Sequence, residues 1–324
     1  MTDNIEKIDH RAPNPMRGFL YYLRCNARRM PRLVNLEVTK RCNAKCDFCP
    51  YWQEKAGEEL ADYAPVIKKF KPVVVSVTGG EPLMRKDIFD IVRGIRPHCH
   101  YIGFITNGRL LDEDKARELV KCGADHISTS LDYLGVKHDE MRGVKGLYDH
   151  LSDLVPTLSS KGYRIVLNTV IMESNLDQIL PIAYKAQEWG VQVSYSAYCD
   201  IKNDDSDNMV RSKRYSQLMG VVDELKKLKR DLKSVKNSDH YLDGIAPYFR
   251  DAAKTNCRAG YRWVQVAPDG HVQQCSELPK VCHFSEYSRK KIKPVTCTKC
   301  WYTCRGEAEA NPLKPSRLWE LIRA

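Results

Sequence analysis

Six short apolar segments of strand length alternate with helical patterns between residues 33 and 197, and this alternation restricts the fold more than any other feature. Several segments are rich in Val and Ile and almost continuously apolar, which is typical of parallel strands covered on both faces. The six segments are residues 33–39, 73–77, 101–106, 126–131, 164–171 and 191–197. The helical patterns between them are residues 87–96, 112–122, 148–161 and 177–189.

Six strand–helix units in a row predict an α/β fold with a parallel sheet and right-handed crossovers. Because a closed barrel of this type needs eight units, we expect a partial (β/α)6 TIM-like barrel. The pattern alone also fits a flat doubly wound sheet. In both folds, functional side chains belong at the carboxyl ends of the strands.

The chain changes character near residue 236, after a long basic helical pattern over residues 211–234. Residues 262–275 alternate around Pro268-Asp269-Gly270 and predict a β-hairpin, followed by many cysteines and few helical periods. We therefore predict a basic N-terminal extension (1–32), the partial barrel (33–235) and a small C-terminal cysteine-rich β-hairpin domain (236–324).

The composition favours a globular protein over a membrane-spanning or secreted one. Hydrophobic residues are 43% and charged residues 29% of the chain, which suits a globular protein with a full core. No apolar run approaches the roughly 18 residues of a membrane span, and the N-terminus lacks an export pattern, so we expect a cytoplasmic protein. Nine of the thirteen cysteines are clustered, and clustered cysteines in such a chain indicate metal binding or catalysis rather than disulfides.

The net charge of +11 is concentrated in residues 1–41 and 280–324. An anionic membrane surface, an anionic substrate or simple solubilisation would each account for it. We expect no nucleic-acid partner, because no zinc-finger helix or aromatic RNA-binding pattern is present. Residues 17–30 mix aromatics with arginines; we favour a helix that closes the bottom of the barrel over an interfacial helix at a membrane surface.

Three cysteines follow the first predicted strand on one short loop. Cys42, Cys46 and Cys49 have the spacing Cys-x3-Cys-x2-Cys. Three thiolates leave one iron of a four-iron cluster without a protein ligand, and an open coordination site is what a reacting cofactor needs. The alternative is a zinc site completed by a distant fourth ligand, because structural zinc takes four ligands.

This spacing, with the aromatic Phe48 just before the third cysteine, resembles the signature of the radical S-adenosylmethionine (SAM) superfamily. The resemblance implies a catalytic [4Fe–4S] cluster held by Cys42, Cys46 and Cys49, with SAM as its partner. It also implies that SAM is reductively cleaved to a 5′-deoxyadenosyl radical that abstracts a hydrogen atom from a substrate. A flavodoxin- or ferredoxin-type protein is the implied reductant.

Further motifs resemble the SAM-binding segments of the superfamily. Thr78-Gly79-Gly80-Glu81-Pro82 resembles the Gly-Gly-Glu-Pro motif, in which glycines allow close backbone approach and a carboxylate accepts hydrogen bonds from the methionine ammonium. The fifth strand lacks the family's Gly-x-Ile-x-Gly pattern. The cofactor-binding residues that the resemblance implies are Phe48, Gly79, Gly80, Glu81, Asn107, Ser130, Asp132 and Asn168.

A second group of cysteines lies between Cys257 and Cys304. The spacing Cys257-x12-Gly270-x4-Cys275 resembles the first half of the auxiliary-cluster domains called SPASM and twitch, whereas the longer second half of SPASM is missing. The resemblance implies one auxiliary [4Fe–4S] cluster and leaves a second open; a four-thiolate zinc is the alternative. The predicted ligands are Cys257, Cys275, Cys297, Cys300 and Cys304, with Cys282 as a sixth candidate.

Three functional hypotheses follow. The first is a radical SAM oxidoreductase or transferase acting on a small molecule (a sugar, a cofactor precursor or a lipid), with the auxiliary cluster aiding electron transfer. The second is a radical SAM peptide maturase, which we rank lower because few residues precede the first strand. The third is a zinc- or nucleic-acid-binding scaffold. We interpret Cys199 as a small buried residue rather than a hydrogen-atom donor, and we assign no further catalytic residue.

Overall fold

The computed structural model describes residues 14–252 and 257–310. Within them, one mixed sheet has the strand order β6-β5-β4-β3-β2-β1-β7-β8-β9. The first six strands match the six predicted segments within two residues at each end. The strands are β1 Leu33–Glu37, β2 Val74–Thr78, β3 Tyr101–Thr106, β4 His126–Ser130, β5 Ile165–Ile171, β6 Gln192–Ala197, β7 Trp263–Val266, β8 His271–Gln273 and β9 Lys280–His283.

The described helices are numbered in chain order. They are α1 Pro15–Ala27, α2 Ala64–Phe70, α3 Ile88–Ile95, α4 Glu113–Cys122, α5 Val136–Arg142, α6 Leu147–Ser160, α7 Ile179–Glu188, α8 Tyr215–Leu232, α9 Asp239–Asp251 and α10 Thr303–Glu309. The segment from residue 236 onward is more helical than its pattern predicted. Ser238 is the N-cap residue of α9. Pro247 lies inside this helix, and because a proline usually marks a helix end, the sequence pattern did not predict α9.

Strands β1 to β6 are parallel, and each pairs with its neighbour in sequence. The sheet does not close, because β6 and β9 are its two edges. The structure confirms the partial TIM-like barrel with a C-terminal hairpin. All loops that follow the six parallel strands therefore meet at one rim, which we call the catalytic-side rim.

The predicted hairpin is confirmed at β7 and β8, whose turn contains Gly270 at φ 81°. β7 also pairs in parallel with β1, from Leu33 opposite Trp263 to Leu36 opposite Val266. The cysteine-rich region is therefore joined to the barrel by the sheet itself. The boundary near residue 236 stays a prediction about folding units.

Helix α1 lies at the amino-terminal ends of the strands, opposite the catalytic-side rim. Its Tyr21 ring is 6.1 Å from the ring of His100, which precedes β3. The Cys25 thiol donates a hydrogen bond to the carbonyl of Lys71, which precedes β2. This helix closes the bottom of the barrel.

Candidate functional site

The turn after β2 packs directly on the backbone that leads into the cysteine loop. The Gly80 amide donates to the Thr39 carbonyl at 2.7 Å, and the Glu81 amide donates to the Arg41 carbonyl at 2.8 Å. A Cβ on Gly80 would lie 2.2 Å from the Arg41 oxygen, and Gly79 has φ +152°. Two glycines are needed here because side chains would separate the two loops.

The Glu81 side chain is fully buried, and its carboxylate accepts hydrogen bonds from other residues of the protein. Its Oε1 accepts from the Leu83 amide at 3.0 Å and from the Thr106 hydroxyl at 2.8 Å, and its Oε2 accepts from the Asn107 amide at 2.7 Å. Burial raises the pKa of this carboxyl, and the three hydrogen bonds oppose that rise. The side chain thereby ties the turn after β2 to the end of β3.

Asn107 continues this connection to the cysteine loop. Its Nδ2 donates to the side-chain oxygen of Asn43 at 2.7 Å, and its own Oδ1 accepts from the Arg109 amide at 2.9 Å. Asn43 lies directly after Cys42. The ends of β2 and β3 are thus both bound to the loop that carries the three cysteines.

An arginine that no motif predicted reaches the cysteine loop from the end of α5. Arg142 donates through Nε and Nη2 to Oδ2 of Asp132, with the Nε bond at 3.0 Å, and its Nη1 lies 3.5 Å from the Cys46 sulfur. Its guanidinium is 5.2 Å from the Phe48 ring centre. The arrangement brings three of the predicted site residues together around one buried cation.

The remaining oxygen of Asp132 is also occupied. Oδ1 accepts from the Val170 amide on β5 at 2.8 Å, and the Asp132 side chain is fully buried. Ser130 and Asn168 lie opposite each other in the β4–β5 register, and both are half-buried. All the predicted SAM-side residues therefore lie at or near one rim.

The backbone of the cysteine loop is fixed by the same helix end. The Lys45 amide donates to the Arg142 carbonyl at 2.9 Å, and the Asp47 amide donates to the Met141 carbonyl at 3.2 Å. The Ala44 amide lies 3.5 Å from the Cys42 sulfur. The end of α5 thus holds the cysteine loop in place through the carbonyls of Met141 and Arg142.

The three loop thiols suit an iron–sulfur cluster as a donor set. They are free, Cys46 is buried, and Cys42 and Cys49 are partly buried. Burial raises the pKa of Cys42 and Cys46, whereas the Arg142 charge favours the Cys46 thiolate. In the part of the chain that the structure describes, no three His, Cys, Asp or Glu side chains are placed to share a single metal ion.

Five of the C-terminal cysteines line one cavity beneath β1 and β7. The sixth candidate, Cys282, is not among its lining residues and lies on β9. Asn35 of β1 and Trp263 of β7 complete the wall, and the Trp263 indole nitrogen is buried without a partner in the described structure. The five cysteines are Cys257, Cys275, Cys297, Cys300 and Cys304.

This cavity has its own buried cation. Arg305 is fully buried; its Nη1 donates to the carbonyls of Cys297 and Cys300 at 3.3 and 3.0 Å and lies 4.0 Å from the Cys300 sulfur. Burial raises the pKa of Cys275 to about 12 and that of Cys304 to about 11. A nearby positive charge opposes this rise: Lys202 favours the Cys304 thiolate, and Arg305 favours the thiolates of Cys257 and Cys300.

A lysine after β6 lies between the cysteine loop and this cavity. Lys202 Nζ is 4.5 Å from the centre of the Tyr51 ring, 3.4 Å from the Tyr51 hydroxyl and 3.7 Å from Oε1 of Glu277. Tyr51 follows Cys49 by two residues, and Glu277 lines the cavity. Sequence reasoning missed all three residues, because they come from distant segments without a motif.

Cys199 belongs to neither cysteine group. Its thiol is buried and donates to the carbonyl of Lys299 at 2.9 Å. The Tyr248 hydroxyl donates to the same carbonyl at 3.1 Å. These contacts fix the segment that carries Cys297 and Cys300 against the end of β6.

Comparison with known proteins identifies the family. The model of the Radical SAM superfamily matches residues 36–183, which contain the cysteine loop and the other rim motifs. This part of the chain is a radical SAM domain. A chain with such a domain is an enzyme that uses SAM and a [4Fe–4S] cluster. The SPASM or twitch type of the C-terminal cysteine-rich region stays a prediction from the cysteine spacing.

Relatives of this radical SAM enzyme differ in what they make. Pre-heme d1 synthase of Dinoroseobacter shibae is 26% identical over 71% of this chain, which spans only 60% of that protein. PqqA peptide cyclase of Gluconobacter oxydans is 25% identical over 84% of this chain and 76% of that protein. SuiB of Streptococcus suis bound to S-adenosylmethionine has a TM-score of 0.65 at 18% identity, covering 84% of this chain and 68% of SuiB, and shows the shared fold.

Proposed function

We propose that this enzyme cleaves SAM at the cysteine-loop cluster and abstracts a hydrogen atom from a small-molecule substrate. The observation that carries the proposal is the shared support of the cysteine loop by Gly80, Asn107 and Arg142 at one rim. Cys42, Cys46 and Cys49 hold the catalytic cluster in this proposal. The cluster, when bound, supplies the electron that cleaves SAM to methionine and the 5′-deoxyadenosyl radical.

The protein residues position this chemistry. We propose that the backbone of Gly79 and Gly80 binds the methionine ammonium and that Glu81, whose buried carboxylate is engaged within the protein, positions this turn. Asn107, Ser130 and Asn168 contact the rest of SAM in this proposal. Asp132 orders Arg142, whose charge stabilises the Cys46 thiolate. Phe48 covers the guanidinium and limits the access of water to the loop. The shared rim and the resemblance of the motifs support these assignments.

An auxiliary cluster in the C-terminal cavity completes the proposal. Four of its five cysteines hold the cluster, and full thiolate ligation suits electron transfer to or from a substrate radical. Lys202 links the two regions by contacting Tyr51 and Glu277. We therefore propose that the substrate binds between the two clusters and that it carries an anionic group, which the Lys202 ammonium contacts.

Small-molecule substrates are supported by the likeness to pre-heme d1 synthase, and the lysine favours an anionic cofactor precursor. A peptide maturase is the second candidate, because the likeness to a PqqA peptide cyclase extends over 84% of this chain. Activity assays with acidic cofactor precursors, and with short peptides encoded next to the gene of this enzyme, separate the small-molecule proposal from the peptide-maturase proposal. Product formation only with a peptide contradicts the small-molecule proposal.

The first experiment measures iron, sulfide and 5′-deoxyadenosine after anaerobic reconstitution. Wild type should hold about eight irons, and Cys42→Ala/Cys46→Ala/Cys49→Ala about four with no 5′-deoxyadenosine. Single alanine variants of the five cavity cysteines should identify four that lose about four irons, with Cys282→Ala as the matched control. Zinc without iron would contradict the enzyme proposal and favour a zinc-binding scaffold.

A second experiment tests the substrate-binding role of Lys202. Lys202→Met should raise KM for an anionic substrate about tenfold or more, because one charge contact is lost, while SAM cleavage without substrate continues. Lys202→Arg restores the charge and should restore part of KM. An unchanged KM with a lower kcat contradicts a contact between Lys202 and the substrate.

A further inference from the structure

The outward face of α1 is apolar, which is unusual for a helix on the surface of a protein. Met16, Phe19, Leu20 and Leu23 are exposed by 67, 48, 58 and 45%. Their spacing of three and four residues places them on one face. Of the ten large hydrophobic side chains that are exposed in the described residues, four lie on this helix. Such a concentration indicates a binding surface.

The opposite face of α1 is already packed on the barrel. A Cβ on Gly18 would lie 2.8 Å from the His100 ring, so the helix backbone sits directly on that side chain. Tyr21 and Cys25 contact His100 and Lys71 from the same face. The apolar stripe is therefore a second face of the helix and not its core-facing side.

Positive charge surrounds the stripe. Residues 14–32 contain no acidic side chain and five arginines. A groove beside the helix is lined by Arg24, Arg28 and Lys69 together with Cys25, Met30 and Phe70. An apolar stripe next to a cationic groove is complementary to acyl chains next to phosphate headgroups.

We propose that α1 is a membrane-association surface for an anionic bilayer. The stripe enters the interfacial region, and Arg24, Arg28 and Lys69 bind a headgroup phosphate. Since α1 lies at the amino-terminal ends of the strands, the bound enzyme directs its catalytic-side rim away from the bilayer. The surface thus places the enzyme at the membrane without leading lipid into the SAM site. This membrane proposal does not depend on the substrate proposed above.

A second copy of the chain is a poorer occupant for this face. Pairing two α1 helices would bring two sets of arginines together, and like charges across an interface cost affinity. A lipid surface supplies the opposite charge instead. In addition, none of the described helices is long and apolar enough to span a bilayer, and an interfacial helix needs no such span.

Co-sedimentation of the reconstituted full chain with vesicles tests the proposal. Vesicles of equal phosphatidylglycerol and phosphatidylcholine should bind the protein, with binding reduced by salt, whereas pure phosphatidylcholine should bind it at least tenfold more weakly. Phe19→Glu/Leu20→Glu should reduce binding about tenfold or more. Arg24→Gln and Arg28→Gln should each reduce it about fivefold.

Met219→Glu is the matched control, because Met219 is 51% exposed on α8, away from α1. It should bind vesicles like wild type, and all variants should keep iron content and SAM cleavage. Equal binding to neutral and anionic vesicles overturns the proposal. So does unchanged binding of Phe19→Glu/Leu20→Glu. The proposal also fails if wild type does not bind vesicles. In that case, loss of a solution dimer in Phe19→Glu/Leu20→Glu assigns the face to a second copy, and loss of thermal stability assigns it to packing within the chain.

Discussion

Arg142 contacts Asp132, Cys46 and Phe48, although no sequence motif gives it a role. The pair with Asp132 is buried on both sides. A buried pair adds little stability compared with apolar residues of the same shape, but removing one partner leaves an uncompensated charge. At the residue scale, the site therefore depends on a contact that sequence spacing does not report.

We predict that Arg142→Gln destabilises the fold by about 3–5 kcal/mol, because Asp132 loses its partner in a dry site. Urea unfolding under anaerobic conditions measures the change, and iron content should fall because the cysteine loop loses its support. Arg93→Gln is the control: Arg93 is exposed and pairs with Asp90 and Glu118. Its cost should stay below about 1 kcal/mol. Similar costs for both variants contradict the role of Arg142.

His138 predicts a pH dependence of stability. The ring is fully buried, its Nδ1 accepts a hydrogen bond from the Asp132 amide, and burial lowers its pKa to about 4. The unfolded chain then binds a proton at higher pH than the folded chain does. The contribution of the neutral His138 ring to the free energy of unfolding should be fully present above about pH 6.5 and should be lost as the pH drops towards 4.

Urea unfolding at pH 7 and pH 5 checks this prediction, with His138→Asn as the test variant. The variant should be less sensitive to pH than wild type across this window. His240→Asn at an exposed position is the control and should follow wild type. A variant as pH-sensitive as wild type contradicts the assignment of the slope to His138.

At the scale of the element, the turn after β2 supports the backbone of the cysteine loop. Its glycines, read from the sequence as cofactor ligands, also provide the close contact that carries the cysteine loop. The adjoining end of α5 fixes that loop from another side through the carbonyls of Met141 and Arg142. Backbone contacts between elements, rather than side-chain motifs alone, hold the three thiols in place.

Gly80→Ala should lower the unfolding free energy by about 1–3 kcal/mol, since its Cβ would overlap the Arg41 carbonyl. Chemical denaturation measures the loss, and cluster content should fall with it. Gly220→Ala is the matched control, because nothing lies within 4 Å of its Cβ inside α8. This control should stabilise the protein by about 0.5–1 kcal/mol. A neutral Gly80→Ala would contradict the close-approach argument.

At the scale of the whole molecule, the parallel pairing of β7 with β1 makes one sheet of the barrel and the cysteine-rich region. Further hydrogen bonds join the two: the Thr303 hydroxyl donates to the Tyr195 carbonyl at 2.9 Å, and the Ala197 amide donates to the Tyr241 hydroxyl at 2.8 Å. We therefore expect the C-terminal cavity to depend on an intact barrel.

Urea unfolding of the reconstituted enzyme should give one transition by both far-ultraviolet circular dichroism and tryptophan fluorescence. Val264→Asp, which buries a charge in β7, should shift both signals to lower urea by the same amount. Val136→Asp at a 70% exposed position is the control and should leave the midpoint nearly unchanged. Two separated transitions would show that the barrel and the cysteine-rich region unfold independently.

The sequence by itself determined the six strands of the barrel, the hairpin at Pro268-Asp269-Gly270 and the superfamily, because periodicity, turn chemistry and cysteine spacing are local properties. It also predicted that the motifs share one end of the strands. The tertiary structure alone placed Arg142 at Cys46, Lys202 between Tyr51 and Glu277, and the apolar face of α1 outward. Those contacts join segments far apart in sequence, and their free energy depends on burial and charge that no local pattern contains.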